Sequence, residues 1–217
     1  MKNTIIIPAR SGSKRLKNKN LLPINGESLI ERTINFSKKI KNIDQIIVST
    51  DSPKIIHLQK KYKNIFFVKR PKYLSADRSL IIYTINNLYN KFNKNFKNII
   101  ILQPTSPFRS QKIINDQWIR FINLKKKFKS LVSVSIGRNF EKKKFIIKNN
   151  KLVLNKNKKN KKLYEANGNY FMANIKFLKK YKKFIVSEKT IASVIKSKKN
   201  LIDIDTKKDY KLALKYK

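Results

Sequence analysis

The sequence has no cysteine, one histidine, four glycines and only 12 acidic residues against 53 lysines and arginines. Without thiols there are no disulfides and no thiolate metal sites. With His57 alone, a histidine-based zinc site and a histidine-centred triad are both excluded, and His57 has no nearby carboxylate in sequence to suggest a role. Any metal must therefore be held by oxygen. No apolar run is long enough to span a bilayer. Met1-Lys2-Asn3 ahead of a few apolar residues and Pro8 is too short a lead for a secretory signal, so a soluble cytoplasmic protein without a membrane partner is expected.

The formal net charge of +41 would by itself suggest nucleic acid or another anionic surface. The excess, however, is nearly all lysine, spread through every segment together with asparagine and isoleucine, as AT-rich coding would produce. No specific nucleic-acid partner is expected on this ground.

At 217 residues, with 41% hydrophobic and 11% aromatic content, the chain is read as one domain, 1–217, with a substantial core. Short β-branched runs at 4–8, 45–49, 65–68, 98–102 and 131–136 read as strands. Helical patterns alternate with them. One starts at Ser28 and carries Leu29, Ile30, Ile34 and Phe36; another starts at Ser52-Pro53; two more cover 79–93 and 111–124, the last with Trp118 and Phe121 facing a core. This alternation predicts an α/β protein with a mostly parallel, doubly wound sheet. Between 140 and 163 the pattern becomes irregular, with alternating pieces at 145–147 and 152–154, and a hairpin excursion from the sheet is expected there.

The first strand leads into Ala9-Arg10-Ser11-Gly12-Ser13-Lys14-Arg15 and on to Lys19-Asn20. A loop leaving the carboxyl edge of a parallel sheet is where open α/β folds bind ligands. Gly12 permits close backbone approach, Ser11 and Ser13 are donors, and Arg10, Lys14, Arg15 and Lys19 are cations suited to a triphosphate. It is not a Walker A loop, which needs a second glycine followed by Lys-Ser or Lys-Thr. On local composition alone it reads equally well as a surface loop of a basic chain.

Three of the few acids cluster in Asp203-Ile204-Asp205-Thr206-Lys207-Lys208-Asp209. In an extended segment Asp203 and Asp205 project to the same side, so two hard oxygen ligands can share one Mg²⁺ that keeps waters and phosphate oxygens. Thr206 is the expected start of a final helix with Asp209 in its first turn, a structural position.

The first loop resembles the Ile-Pro-Ala-Arg-x-Gly-Ser-Lys-x-x-x-x-Lys-Asn signature of the acylneuraminate cytidylyltransferases, and Ile7 to Asn20 match each fixed position. Four later blocks resemble the same family in the same order: Arg70-Pro71-Lys72-Tyr73-Leu74-Ser75-Ala76-Asp77, Gln103-Pro104-Thr105-Ser106-Pro107-Phe108-Arg109, Asn167-Gly168-Asn169-Tyr170, and the acidic block at 203–209. The resemblance implies a Rossmann-like nucleotidyltransferase that joins CTP to a nonulosonic, sialic-type sugar acid, giving a CMP-sugar and pyrophosphate. It implies nucleotide contacts from Arg10, Ser11, Gly12, Ser13, Lys14, Lys19, Asn20, Arg70 and Ser79, with Arg10, Lys14 and Lys19 catalytic. Gln103, Arg109, Asn167 and Tyr170 become sugar contacts, and Asp203 and Asp205 become catalytic magnesium ligands. It also implies a homodimer whose 140–163 insertion brings basic residues, Lys142 to Lys144 and Lys158 to Lys162, towards the neighbouring site. Asn169 replaces the small residue usual in the family. The alternatives are another sugar-activating nucleotidyltransferase, such as one for an octulosonate, and a basic nucleic-acid-binding protein on a degenerate enzyme scaffold.

Overall fold

A computed structural model describes residues 1–13, 15–76, 79–125, 127, 129–137, 144–155 and 162–216. Lys14, Asp77, Lys142, Lys143 and the lysines of 158–161 lie outside the described residues.

The chain opens with β1 (Lys2–Pro8), whose Thr4, Ile5, Ile6 and Ile7 are all buried, as the uninterrupted apolar run requires. The Asn25-Gly26 pair, both at positive φ, turns the short hairpin of β2 (Pro23–Ile24) and β3 (Glu27–Ser28). Helix α1 (Leu29–Ser37) follows with the cap expected at Ser28, a reciprocal capping box with Glu31. Strand β4 (Gln45–Thr50) leads into a short α2 (Pro53–Ile56), where Ser52 occupies the cap position without a side-chain cap bond. Next come β5 (Phe66–Lys69), α3 (Lys72–Ser75) and α4 (Ile81–Lys91), then β6 (Phe96–Ile101), α5 (Gln111–Asn123) and β7 (Ser130–Ile136). The chain ends through β8 (Phe145–Lys148), β9 (Lys151–Leu154), β10 (Tyr164–Asn174), α6 (Ile175–Tyr181), β11 (Thr190–Val194) and α7 (Lys207–Leu214).

All but the small hairpin join one nine-stranded sheet in the order β5-β4-β1-β6-β10-β7-β11-β9-β8. The ladders of β1 with β4 and β6, of β4 with β5 and of β7 with β11 are parallel. Only β10 and β9 run against the others. Alternate residues feed opposite faces: Ile5 and Ile7 pack with Ile30, Ile34, Trp118 and Phe121, while Ile6 packs with Ile85, Leu88 and Phe177. Helices thus cover both faces, the doubly wound arrangement expected. A smaller cluster of Leu16, Ile24, Leu29, Phe108, Ile202 and Ile204 joins the first loop to the carboxyl-terminal segment.

One expectation needs correction. The hairpin at 145–154 does not leave the sheet but completes its edge, because β9 pairs with β11 and β8 with β10. Asp203 and Asp205 lie between the helical turn Lys199–Leu201 and α7 in a segment that joins no ladder. The long antiparallel β10, with α6 and β11 after it, goes beyond the strands read from the sequence, because Glu165, Asn167 and Asn169 interrupt its apolar pattern.

Candidate active site

The parallel strands β1, β4, β5 and β6 end on one edge of the sheet, and a cleft of about 620 Å³ opens there. Its first wall is the loop after β1. Ser11 is held by Asp51, just past β4, with Ser11 N donating to Asp51 Oδ1 and Ser11 Oγ to Oδ2, both at 2.7 Å. Burial alone would raise the Asp51 carboxyl, but these two bonds outweigh it and hold it below its ordinary range. The other end of the loop is fastened by buried Asn20, whose Nδ2 donates to the Arg10 carbonyl at 2.9 Å. Ser11 and Asn20 therefore shape the loop, and Arg10, Asn20 and Lys19 line the cleft. Gly12 has open space where a Cβ would stand, so no protein neighbour demands glycine there. Ser13 Oγ is buried without a partner among the described residues.

Facing this loop are the carboxyl-terminal acids. Lys19 Nζ lies 2.7 Å from Asp205 Oδ1, and Arg15 donates to Asp205 Oδ2 at 2.6 Å. The Lys19 hydrogen bond, against burial, and then the charges of Lys19 and Arg15 keep the Asp205 carboxyl below its usual range. The Lys19 side chain is 17% exposed and that of Arg15 73%, so the first is a fixed part of the wall and the second is able to swing. Asp203 lines the same cleft, and its segment is tied to the turn after β6 by Ile204 N donating to the Thr105 carbonyl at 2.8 Å. Asp209 has the structural position expected: its Oδ2 accepts from Asp205 N, Thr206 N and Thr206 Oγ1 as half of a capping box on α7.

Arg70 and Ser79 close a further side. The Arg70 guanidinium is buried and donates to Ser49 Oγ at 3.2 Å and the Ser49 carbonyl at 2.9 Å. Burial pushes its pKa down to about 10, opposed by the charge of Asp51, so it remains cationic at neutral pH.

Gln103 reaches the cleft from the turn after β6, but Arg109 does not. Its guanidinium turns inward, donating to the carbonyls of Gln103 and Asn169, and burial lowers its pKa to about 9 against the opposing charge of Asp203. Arg109 is thus a brace behind the wall. Tyr170 is also corrected: it is fully buried, its hydroxyl 2.6 Å from Ser193 Oγ, and burial raises its pKa to about 12. Asn167 points into the protein as well, its Oδ1 accepting from Ser133 Oγ at 2.7 Å and from Asn169 N at 3.2 Å. Three of the four residues expected to touch a sugar are therefore framework in this structure. Arg15 was a loop cation in the sequence but not a site residue. Its partner lies 190 positions away, so only the fold shows the pairing.

Among the described residues no three histidines, cysteines or acids gather as a metal cluster. The protein offers Asp203 and Asp205, with Asp209 committed to its cap. Two hard carboxylates on a phosphate-sized cleft fit Mg²⁺, which takes one or two protein carboxylates and completes its octahedron with water and substrate oxygens.

The cytidylyltransferase family model matches residues 4–217. The chain belongs to the cytidylyltransferase family. A CMP-N,N'-diacetyllegionaminic acid synthase of Legionella pneumophila is 32% identical over 231 residues, covering 99% of this chain and 96% of that one. An N-acylneuraminate cytidylyltransferase of Escherichia coli is 32% identical over 130 residues, 60% of this chain and 30% of that protein. A pseudaminic acid cytidylyltransferase of Campylobacter jejuni is 31% identical over 131 residues, 59% of this chain and 56% of that one. Among solved structures, a CMP-2-keto-3-deoxy-manno-octonic acid synthetase complexed with CTP superposes with a TM-score of 0.76 at 14% identity, covering 99% of this chain and 98% of that one. That likeness establishes the fold. The chain is a nucleotidyltransferase of this family, and among its described residues no helix is long and apolar enough to cross a membrane.

Proposed function

We propose that this cytidylyltransferase couples CTP to a nonulosonic acid, releasing pyrophosphate and a CMP-sugar. The observation that carries the reading is the cleft itself, of about 620 Å³, which Arg10, Arg15 and Lys19 line together with Asp203 and Asp205. The relatives named for legionaminic, neuraminic and pseudaminic acids supply the acceptor class. The sugar's anomeric oxygen attacks the α-phosphorus, the bond from that phosphorus to the bridging oxygen breaks, and pyrophosphate leaves while the hydroxyl proton passes to solvent. Arg10 and Lys19 stabilise charge that grows on the departing phosphates. Open space beside Gly12 leaves room for a phosphate close to the backbone. Gln103, the sugar-contact candidate that faces the cleft, orients the acceptor. Asp203 and Asp205 would hold Mg²⁺, which when bound neutralises phosphate and acidifies the attacking hydroxyl. On nucleotide binding, Lys19 and Arg15 would give up Asp205 for phosphate oxygens, leaving that carboxylate available to a cation.

The enzyme is further proposed to be a cytoplasmic homodimer. Supporting the dimer is an apolar groove beside the β8–β9 edge, lined by Phe145, Leu154, Phe171 and Phe184. The test of function is pyrophosphate release from each of the four nucleoside triphosphates against a panel of acids. N,N'-diacetyllegionaminic acid comes first, because the relative named for it matches end to end. Neuraminic, pseudaminic and octulosonic acids complete the panel. Turnover with CTP and a nonulosonate is expected; turnover confined to an octulosonate or to another base would replace this reading.

A further inference from the structure

The pairing of β10 with β7 breaks between Ala166 and Phe171, and the intervening bulge carries Gly168 off the sheet at φ +78° towards the cleft. A Cβ placed on Gly168 would stand 3.1 Å from Gln103 Oε1, 3.7 Å from Asp203 Oδ2 and 3.8 Å from Ser106 Oγ. Two of these three groups line the cleft. The bulge has little freedom to retreat. Asn167 Oδ1 accepts from Asn169 N, Asn169 Nδ2 donates to the Asn200 carbonyl at 2.8 Å, and the Asn169 carbonyl accepts from Arg109. The backbone of Gln103 is fixed by the same guanidinium. Between two clamped backbones, the part able to yield is the free end of the Gln103 side chain.

We propose that Gly168 is a positioning residue: its missing side chain is the space that sets the direction of the Gln103 amide, and through it the placement of the acceptor sugar. This rests on the nonulosonate reading above. Glycine at such a site has a competing explanation, since positive φ alone favours it. Gly26 separates the two explanations, because it has nearly the same φ, +77°, and nothing within 4 Å of its missing Cβ.

The experiment compares Gly168→Ala with Gly26→Ala by steady-state kinetics and thermal melting. Gly26→Ala should melt earlier yet keep wild-type kinetics. Gly168→Ala should lose about three- to tenfold in kcat/KM for the sugar acid, because the Gln103 amide must give by a few tenths of an ångström where a full 1 Å would cost about a hundredfold, with KM for CTP within about twofold of wild type. Sugar-acid kinetics unchanged within about twofold would overturn the proposal and leave φ as the whole reason for the glycine. Should Gly168→Ala fold poorly, a melting cycle with Gln103→Ala decides. A double variant that melts no earlier than Gln103→Ala with the Gly26→Ala penalty added places the cost in the Gln103 contact and supports the proposal; full additivity of the large penalty overturns it. If the wild-type enzyme turns over no acid with CTP, the reaction is wrong, while the melting cycle still judges Gly168.

Discussion

At the β1 corner of the cleft, Lys19 and Arg15 keep their charges facing the cavity and share a single carboxylate, Asp205, that a ligand can displace. At the β10 corner, Asn169 and Arg109 are bonded to backbone carbonyls, and Asn167 Oδ1 and the Tyr170 hydroxyl to the side chains of Ser133 and Ser193, leaving the ligand-facing surface to Gln103. The first arrangement places reactive charge on a loop pinned at both ends; the second uses polar side chains as internal struts for a bulged strand. Hydrogen-bonding capacity alone therefore does not make a contact residue. What matters is whether the donor's geometry is already satisfied by the fold.

Substitutions can break this contrast, and the largest effect is expected at the first corner. Lys19→Ala should lower turnover by about a hundred- to a thousandfold, the 2.7–4 kcal/mol typical of one lost transition-state contact. Its melting temperature should stay near wild type, because Arg15 still neutralises Asp205. Near-normal turnover at saturating CTP would remove the loop from the mechanism. Arg109→Ala should show the reverse pattern. Leaving two carbonyls without their donor should cost about 2 to 4 kcal/mol in denaturant unfolding, while CTP binding measured by calorimetry stays close to wild type. A stable Arg109→Ala protein that has lost sugar binding would return Arg109 to the list of contacts.

Smaller effects separate Asp209 from its neighbours. Asp209→Asn weakens the α7 cap and should cost about 1 kcal/mol of stability with magnesium dependence unchanged. Asp203→Asn and Asp205→Asn should instead abolish most activity, with only partial recovery at high Mg²⁺. A dead Asp209→Asn beside two normal variants would relocate the metal site. The smallest effect concerns the loop tether. Asp51 has a depressed pKa in the folded protein, so its contribution is complete above the ordinary value of 3.8 and is lost as pH falls through the lower folded value. The melting difference between wild type and Asp51→Asn, about 1 kcal/mol or less for this partly exposed group, should be level from pH 7 to pH 5. It should shrink below about pH 4. A difference that instead grew in acid would mean that the tether does not depend on charge.

Much of the fold was legible because its strands are uninterrupted β-branched runs and two of its helices begin at Ser28 and Thr206, which accept a cap bond, although Ser52, also expected as a cap, makes none. The cation loop and the acid pair were legible for a related reason: in a chain with so few acids, three within seven positions stand out. The sheet's far half was harder to read. Glu165, Asn167, Asn169 and Asn174 interrupt the apolar rhythm of β10 and are bonded by Lys144, Ser133, Asn200 and Phe177 in turn, although Asn167 Nδ2 is buried without a partner among the described residues. Lys144, Ser133 and Asn200 lie 21, 34 and 31 residues from the groups they bond, whereas Phe177 is the local cap contact of α6. The role of Asp51 could not be read locally, because its partner Ser11 lies 40 residues earlier.

The surplus of positive charge has a kinetic consequence. Every species in the proposed reaction, nucleotide, sugar acid, activated sugar and pyrophosphate, is an anion, and all approach or leave through a basic cleft in a molecule of formal charge +41. The same field that gathers substrates from solution also retains products. Rising ionic strength should thus slow capture and hasten release, so that turnover at saturating substrate climbs with salt while efficiency at low substrate falls.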